Sequence, residues 1–143
     1  MSRRRVVVTG MGMVSPLGND LVTSWEGIKN GRSGIGPLTS FDASTFATRI
    51  CGEVRDLDIS QFIHPKEAKK MDAFIHYGMA ASLMALEDSG LEVTEANAER
   101  IGAMVGSGIG GILGIEQQTE KYLEGGARKV SPVSYTHLRA HET

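Results

Sequence analysis

The most informative stretch of this chain is Arg100-Ile-Gly-Ala-Met-Val-Gly-Ser-Gly-Ile-Gly-Gly-Ile-Leu-Gly114. An apolar run, residues 101–105, leads into a turn with four glycines, and a segment with helical periodicity follows. In α/β proteins this order places helix-start N–H groups at the mouth of a site. Gly106, Gly108 and Gly111 also match the spacing G-x-G-x-x-G of dinucleotide-binding loops, so a phosphate site is the first hypothesis.

The composition is that of an ordinary globular chain. The 143 residues suffice for one domain, with 41% hydrophobic and 22% charged residues. The formal charge of −2 gives no global attraction to nucleic acid or to an anionic membrane. The single cysteine, Cys51, excludes an intrachain disulfide and fits a reducing compartment. The apolar run after the basic N-terminus is too short for a signal peptide, so a cytoplasmic protein is predicted.

Strands and helices are predicted to alternate from the N-terminus onward. The β-branched run 6–8 predicts a buried strand, after which Gly10 and Gly12 allow the backbone to pass close to a neighbour. A helix is expected from an N-cap at Asn19 to about Asn30. Further on, the patterns predict a strand over 48–54 and helices over 73–89 and 112–124. This alternation indicates an α/β layered fold.

Three lysines, one histidine and one cysteine are candidates for a functional role. Lys66, Lys69 and Lys70 recur at spacings of three and four, which places them on one face of a helical turn. A solvated face is the default for such a run. His76 lies in the apolar helix and is expected to be a satisfied core or interface histidine, while Cys51 is expected to be an apolar filler within its strand.

The last eleven residues, 133–143, depart from this pattern. His137 and His141 are four apart, a spacing that suits two metal ligands on one helix face, but no third ligand is near. The string resembles a translated sequencing-library adapter. We therefore expect residues 133–143 to be non-native, and no metal site is predicted.

Several long strings, in order, resemble one family. They are Arg4-Arg-Val-Val-Val-Thr-Gly-Met-Gly-Met-Val-Ser-Pro-Leu-Gly-Asn19, Lys70-Met-Asp-Ala-Phe74, Asp88-Ser-Gly-Leu91, Gly106-Ser-Gly-Ile-Gly-Gly111 and Arg128-Lys-Val-Ser-Pro132. With them, residues 1–132 resemble the N-terminal part of a type II β-ketoacyl-[acyl-carrier-protein] synthase, a thiolase-fold condensing enzyme of fatty-acid biosynthesis. The resemblance implies an α/β fold that is the incomplete N-terminal half of a thiolase-like layered αβαβα fold.

The resemblance also implies a chemistry whose reacting groups this chain lacks. In the family a cysteine takes up an acyl chain, and two histidines assist decarboxylative Claisen condensation with malonyl-carrier. These three residues lie beyond the Ser131-Pro132 motif. Neither Cys51 nor any of the four histidines occupies a catalytic motif position, so no catalytic residue is assigned and the chain alone is expected to be inactive. No cofactor or metal is implied.

Two supporting roles carry over from the resemblance. Lys66, Lys69 and Lys70 match the basic patch that such synthases present to the acidic acyl carrier protein, in its acyl- and malonyl-loaded forms. Ile109 matches a residue that lines the acyl-chain pocket near the dimer interface, where each buried methylene contributes about 0.8 kcal/mol. The implied partners are thus the carrier and, for the full-length family, a second copy in a homodimer, with no nucleic acid and no membrane.

Two alternatives remain besides a truncated condensing enzyme. A dinucleotide- or phosphate-binding module built on residues 106–111 requires an acidic residue about 20 positions on. That position falls near Ser131, where Glu124 is the one acidic neighbour, and nothing acidic lies near position 32 for the Gly10-x-Gly12 pair. The other alternative is a domain that binds acyl carrier and performs no chemistry.

Overall fold

The computed structural model describes residues 3–130 of the chain. The elements in these residues, joined by loops and 3-10 turns, are α1 (Leu21–Lys29), β1 (Ile35–Pro37), β2 (Ile50–Gly52), α2 (Pro65–Ala68), α3 (Ala73–Ser89) and α4 (Ile112–Gly125). No helix among them is long and apolar enough to cross a membrane. Residues 133–143, with His137 and His141, lie outside the described residues, and their foreign origin stays a prediction.

The described chain divides into two compact units. The first comprises residues 3–58 and 80–91, and the second comprises residues 59–79 and 92–130. The helix α3 contributes residues to both units. The lysines at 66, 69 and 70 and the isoleucine at 109 all belong to the second unit.

Helix α1 begins one residue later than the sequence predicts. Its N-cap is Asp20, whose carboxylate accepts hydrogen bonds from the backbone N–H of Thr23 at 2.7 Å and from its hydroxyl at 2.8 Å. These two bonds hold the pKa of Asp20 below its usual range. Asn19, the predicted cap, instead donates its side-chain amide to the carbonyl of Arg55 at 2.8 Å. The predicted stop at Gly31 is confirmed, because this glycine has φ of 62° directly after the C-cap.

The predicted close approach at Gly10 and Gly12 is confirmed in the first unit, and the neighbour is α3. A Cβ atom on Gly10 would lie 2.2 Å from the carbonyl oxygen of Ala85. A Cβ atom on Gly12 would lie 2.0 Å from that of Ala81. The backbone N–H of Met11, between them, donates to the Asp88 carboxylate at 2.9 Å. Only glycine fits at both positions, since the obstructing atoms belong to a helix backbone.

The sheet is small and antiparallel. The predicted strand over 48–54 is confirmed for Ile50–Gly52, and it pairs with Ile35–Pro37 so that Gly36 faces Cys51. The sequence did not predict this partner strand, because glycine and proline are typical of loops. Just after β2, the Glu53 carboxylate accepts hydrogen bonds from the backbone and hydroxyl of Thr39, at 3.0 and 2.7 Å, and from the backbone of Ser40 at 2.9 Å. This carboxylate fixes the loop that joins the two strands.

The strand predicted over residues 6–8 does not form in the described residues, and the apolar run 101–105 forms none either. Residues 6–8 and 101–105 carry no regular secondary structure and pair with no strand there. Their side chains face solvent, with Val6 at 89%, Val8 at 79% and Met104 at 99% exposure. A buried strand needs neighbours on its edges and faces, and residues 3–130 supply none to these two runs. The sequence pattern is therefore typical of a buried strand, but residues 3–130 form no sheet around these runs.

The shielded apolar side chains among the described residues are mostly small: Ala43, Ile63, Ala68 and Ala80. Ser24 is fully buried as well, and its hydroxyl lies 2.9 Å from that of Ser15 and 3.1 Å from the carbonyl oxygen of Gly18. These bonds satisfy the polar group within the first unit. Large apolar side chains, by contrast, are frequently exposed, as expected of an incomplete layered fold.

Candidate functional site

The three lysines of the predicted patch lie on and directly after α2 in the second unit. Pro65 occupies the first helical turn, where its missing N–H costs nothing, and His64 is the N-cap. The His64 ring nitrogen Nδ1 accepts a hydrogen bond from the backbone N–H of Lys66 at 3.3 Å. Lys69 is the C-cap and Lys70 follows it. We call Lys66, Lys69 and Lys70 the lysine patch; all three are exposed.

The charge of the lysine patch is only partly neutralised by its neighbours. Lys70 forms an ion pair with Glu67 at 2.8 Å. Within residues 3–130 no ion pair involves Lys66 or Lys69. Three lysines against one glutamate leave this segment positive, although the whole chain carries a formal charge of −2. Such a local positive surface attracts and orients an acidic partner.

The glycine turn, residues 106–111, is open at its start and packed at its end. A Cβ atom on Gly106 or Gly108 would meet nothing within 4 Å. Gly110 has φ of 78°, and a Cβ atom built on it would lie 3.4 Å from the Phe74 ring. The first half of the turn therefore packs against no other part of the described chain. Ile109, the predicted acyl-contacting residue, is 74% exposed, so its side chain is available to an apolar partner.

The end of the glycine turn is occupied by a carboxylate. Gly111 is the N-cap of α4 and supplies no side-chain cap. The side chain of Asp72 lies where the Cβ atoms of Gly111 and Gly114 would be, with Oδ2 at 1.6 Å and 2.4 Å from those positions. An anion beside the first turn of a helix is favourable by itself, and it repels a second anion. This arrangement argues against a phosphate bound at the G-x-G-x-x-G spacing.

The remaining titratable candidates have structural surroundings. His76 places Nε2 2.9 Å from the carbonyl oxygen of Ala68, which confirms the prediction of a satisfied histidine and ties α3 to the end of α2. Cys51 is half-buried, and its burial together with the nearby Glu53 carboxylate raises the pKa of the thiol. A thiol held protonated is a poor nucleophile, which supports the interpretation of Cys51 as a filler.

No group of three or more potential metal ligands occurs in the part of the chain that the structure describes. The described site offers a positive surface, an exposed isoleucine on a turn and the Asp72 side chain beside the start of α4. The roles of the lysine patch and of Ile109 come from the family resemblance and stay predictions. Asp72 was not predicted, although the glycines at 111 and 114 hinted that something must pack closely there.

A family model described as the N-terminal domain of β-ketoacyl synthase matches residues 3–141. A 3-oxoacyl-[acyl-carrier-protein] synthase 2 from Vibrio harveyi is 54% identical over 132 residues, which cover 92% of this chain and 32% of that protein. The protein of the same name from Synechocystis is 47% identical over 132 residues, with the same coverage. The chain thus spans about a third of the length of these relatives.

Solved structures agree with this fold. The ishigamide ketosynthase/chain length factor matches with a TM-score of 0.78 and 31% identity, covering 97% of this chain and 35% of that one. A complex of a type II polyketide synthase acyl-carrier protein with its ketosynthase, bound to the hexaketide, matches with a TM-score of 0.74 and 29% identity. That match covers 96% of this chain and 38% of the other. These neighbours confirm the predicted partial thiolase-like α/β fold.

Proposed function

We propose that this chain, which belongs to the β-ketoacyl synthase family, is the carrier-docking part of a fatty-acid-elongating 3-oxoacyl-[acyl-carrier-protein] synthase. The complete enzyme is an acyltransferase that joins an enzyme-bound acyl group to malonyl-carrier with loss of carbon dioxide. The chain alone is inactive in this proposal, because the family's catalytic cysteine and histidines lie C-terminal to residue 132. Its one cysteine, Cys51, has a thiol pKa above its ordinary value, which supports that view.

The observation that carries the proposal is the exposed lysine patch, which belongs to the same unit as the glycine turn. The patch is positive, and the turn bears Ile109. The matched ketosynthase in complex with its acyl-carrier protein supports a carrier as the partner. An acidic carrier would gain both encounter rate and orientation from such a surface.

Binding of octanoyl-loaded acyl carrier protein to the full chain tests the docking proposal. Lys66 and Lys69 are the informative positions, because Lys70 is already paired with Glu67. We expect Lys66→Glu with Lys69→Glu to weaken binding about tenfold, from roughly 0.7 kcal/mol for each exposed pair lost. The effect should fade between about 0.1 M and about 1 M salt, as the Debye length falls from about 10 Å to about 3 Å.

A matched control separates the patch from net charge. Lys121→Glu with Lys129→Glu reverses two exposed lysines outside the patch, the same change in charge as in the patch variant, and should leave carrier affinity within about twofold, well under the tenfold step of 1.4 kcal/mol. If the patch variant and this control weaken binding equally, docking at the lysine patch is refuted. Equal affinity for wild type and patch variant at low salt refutes it too.

A second experiment tests the absence of chemistry. Incubation with acyl-loaded and malonyl-loaded carrier should yield no 3-oxoacyl product, and intact-mass measurement should find Cys51 unacylated. Acylated Cys51 would overturn the assignment of this residue as a filler. The alternative of a carrier-binding domain with no chemistry makes the same two predictions, and gene sequence beyond the codon for residue 132 discriminates between them. A cysteine followed by two histidines there supports the synthase.

The remaining parts of the proposal rest on the family resemblance for the homodimer and on other sequence patterns for the rest. They are a homodimer for the complete enzyme, a cytoplasmic location and a foreign origin for residues 133–143. Resequencing the gene from an independent library tests the last of these. The adapter hypothesis is wrong if the codons for residues 133–143 reappear in a library made with different adapters.

A further inference from the structure

Asp72 lies between the lysine patch and α3, and its backbone is fixed in place. Its carbonyl oxygen accepts hydrogen bonds from the backbone N–H groups of Ile75 at 3.0 Å and of His76 at 3.4 Å, so it begins the helix. The His76 ring in turn lies 2.9 Å from the carbonyl oxygen of Ala68, at the end of α2. The short connection from α2 to α3 is therefore held at both ends.

From this fixed backbone, the Asp72 side chain reaches the start of α4. It occupies the space that side chains at Gly111 and Gly114 would need. Gly111 is the N-cap and Gly114 lies in the first turn of the helix, which has no side-chain cap of its own. The carboxylate thus provides, from another element, the negative group that favours a helix N-terminus.

A second contact reinforces the first. The Phe74 ring lies against Gly110, with three ring carbons 3.4 to 3.8 Å from the position of a Cβ atom. Gly110 has a positive φ, so its conformation is one that other residues adopt only with strain. Asp72 and Phe74 therefore hold two consecutive residues of the glycine turn, immediately after Ile109.

We propose that Asp72 is a positioning residue that keeps the glycine turn, and with it Ile109, in register with the lysine patch. Carrier docking on Lys66 and Lys69 would then be transmitted to the turn through the connection that ends at Asp72. This inference rests on the proposed function, because it takes the acyl carrier as the partner of the patch. It adds a residue that joins the docking surface to the acyl-contacting turn.

Amide chemical shifts of the 15N-labelled full chain test the inference on addition of octanoyl-loaded acyl carrier protein. In the wild type we expect shifts both at residues 66–70 and at residues 106–110. In Asp72→Ala the shifts at 66–70 should persist, with affinity within about twofold of Asp72→Asn, while those at 106–110 disappear. Asp72→Asn removes the same charge but keeps the shape, so it should retain the response of the turn.

The opposite side of the contact gives an independent variant. Gly111→Ala should displace the Asp72 side chain and abolish the response of the turn, whereas Gly102→Ala, outside the turn and with nothing within 4 Å of the new Cβ atom, should behave as wild type. The inference is overturned if Asp72→Ala keeps the response of the turn, or if the wild type shifts only at residues 66–70. In both cases carrier docking still stands. Absence of any shift at 66–70 in the wild type refutes the proposed function itself.

Discussion

Replacement of Gly12 by alanine tests the close packing against α3 most directly. The new Cβ atom would lie 2.0 Å from the carbonyl oxygen of Ala81 and 2.8 Å from the backbone nitrogen of Ala85. Real Cβ contacts essentially never fall under 3.0 Å, so the backbones must separate by about 1 Å. The obstructing atoms belong to a helix backbone, which cannot rotate away as a side chain would.

The expected cost of Gly12→Ala is at the upper end of overpacking, about 3 kcal/mol in the free energy of unfolding. For a chain of this size that corresponds to about 10 °C in the melting temperature. Thermal and urea unfolding, followed by circular dichroism, measure both quantities. Gly108→Ala is the matched control: it has open space around it and should be neutral, or more stable by about 0.4–1 kcal/mol. Equal unfolding midpoints for Gly12→Ala and wild type would refute the packing argument.

Three further predictions concern other parts of the chain. Asp20→Ala should lower the free energy of unfolding by about 1 kcal/mol through loss of the cap of α1, and Asp20→Asn should restore most of it; no difference between the two variants in urea unfolding contradicts the cap. The Glu53 carboxylate, with the Thr39 hydroxyl and backbone as its main hydrogen-bond donors, has a pKa lowered from 4.5 to about 2. The stabilisation by the ionised Glu53 carboxylate is therefore fully present above about pH 4.5 and is lost as the pH falls towards 2. The difference in free energy of unfolding between wild type and Glu53→Gln should therefore shrink by more than half from pH 7 to pH 3. A difference that stays constant over this range would show that the ionised carboxylate is not responsible. Finally, the chain should bind a hydrophobic fluorescent dye, and Val6→Lys with Val8→Lys should reduce the signal; a wild-type chain that binds no dye contradicts the exposed runs.

The sequence predicted the helices well because their ends carry local information. Gly31 and Gly90 both adopt positive φ after a helix, at 62°, as their residue type suggested. Helix α4 was predicted over 112–124 and is found over Ile112–Gly125. The need for glycine at 10 and 12 was also visible, since a glycine pair after a strand-like run is typical of a close approach.

Interactions between distant residues were beyond the sequence. The carboxylate of Asp72 contacts glycines about forty positions away. No pattern in the sequence around Asp72 predicts that contact. The N-cap is Asp20 rather than Asn19, and the Asn19 amide N–H donates to the carbonyl of Arg55, a contact 36 positions away in the chain. Strand formation at residues 6–8 failed for a related reason: the pattern reports a buried environment, and the environment depends on partners that residues 3–130 do not contain.

The exposed run at residues 6–8 has a consequence for the fate of this polypeptide in a cell. Three consecutive valines that face solvent form an apolar segment of the kind that chaperones and proteases engage. Capture by these factors would lower the steady-state amount of the chain. A covering layer that buried the same valines would remove this recognition element, so the abundance of the polypeptide reports whether its sheet has been completed.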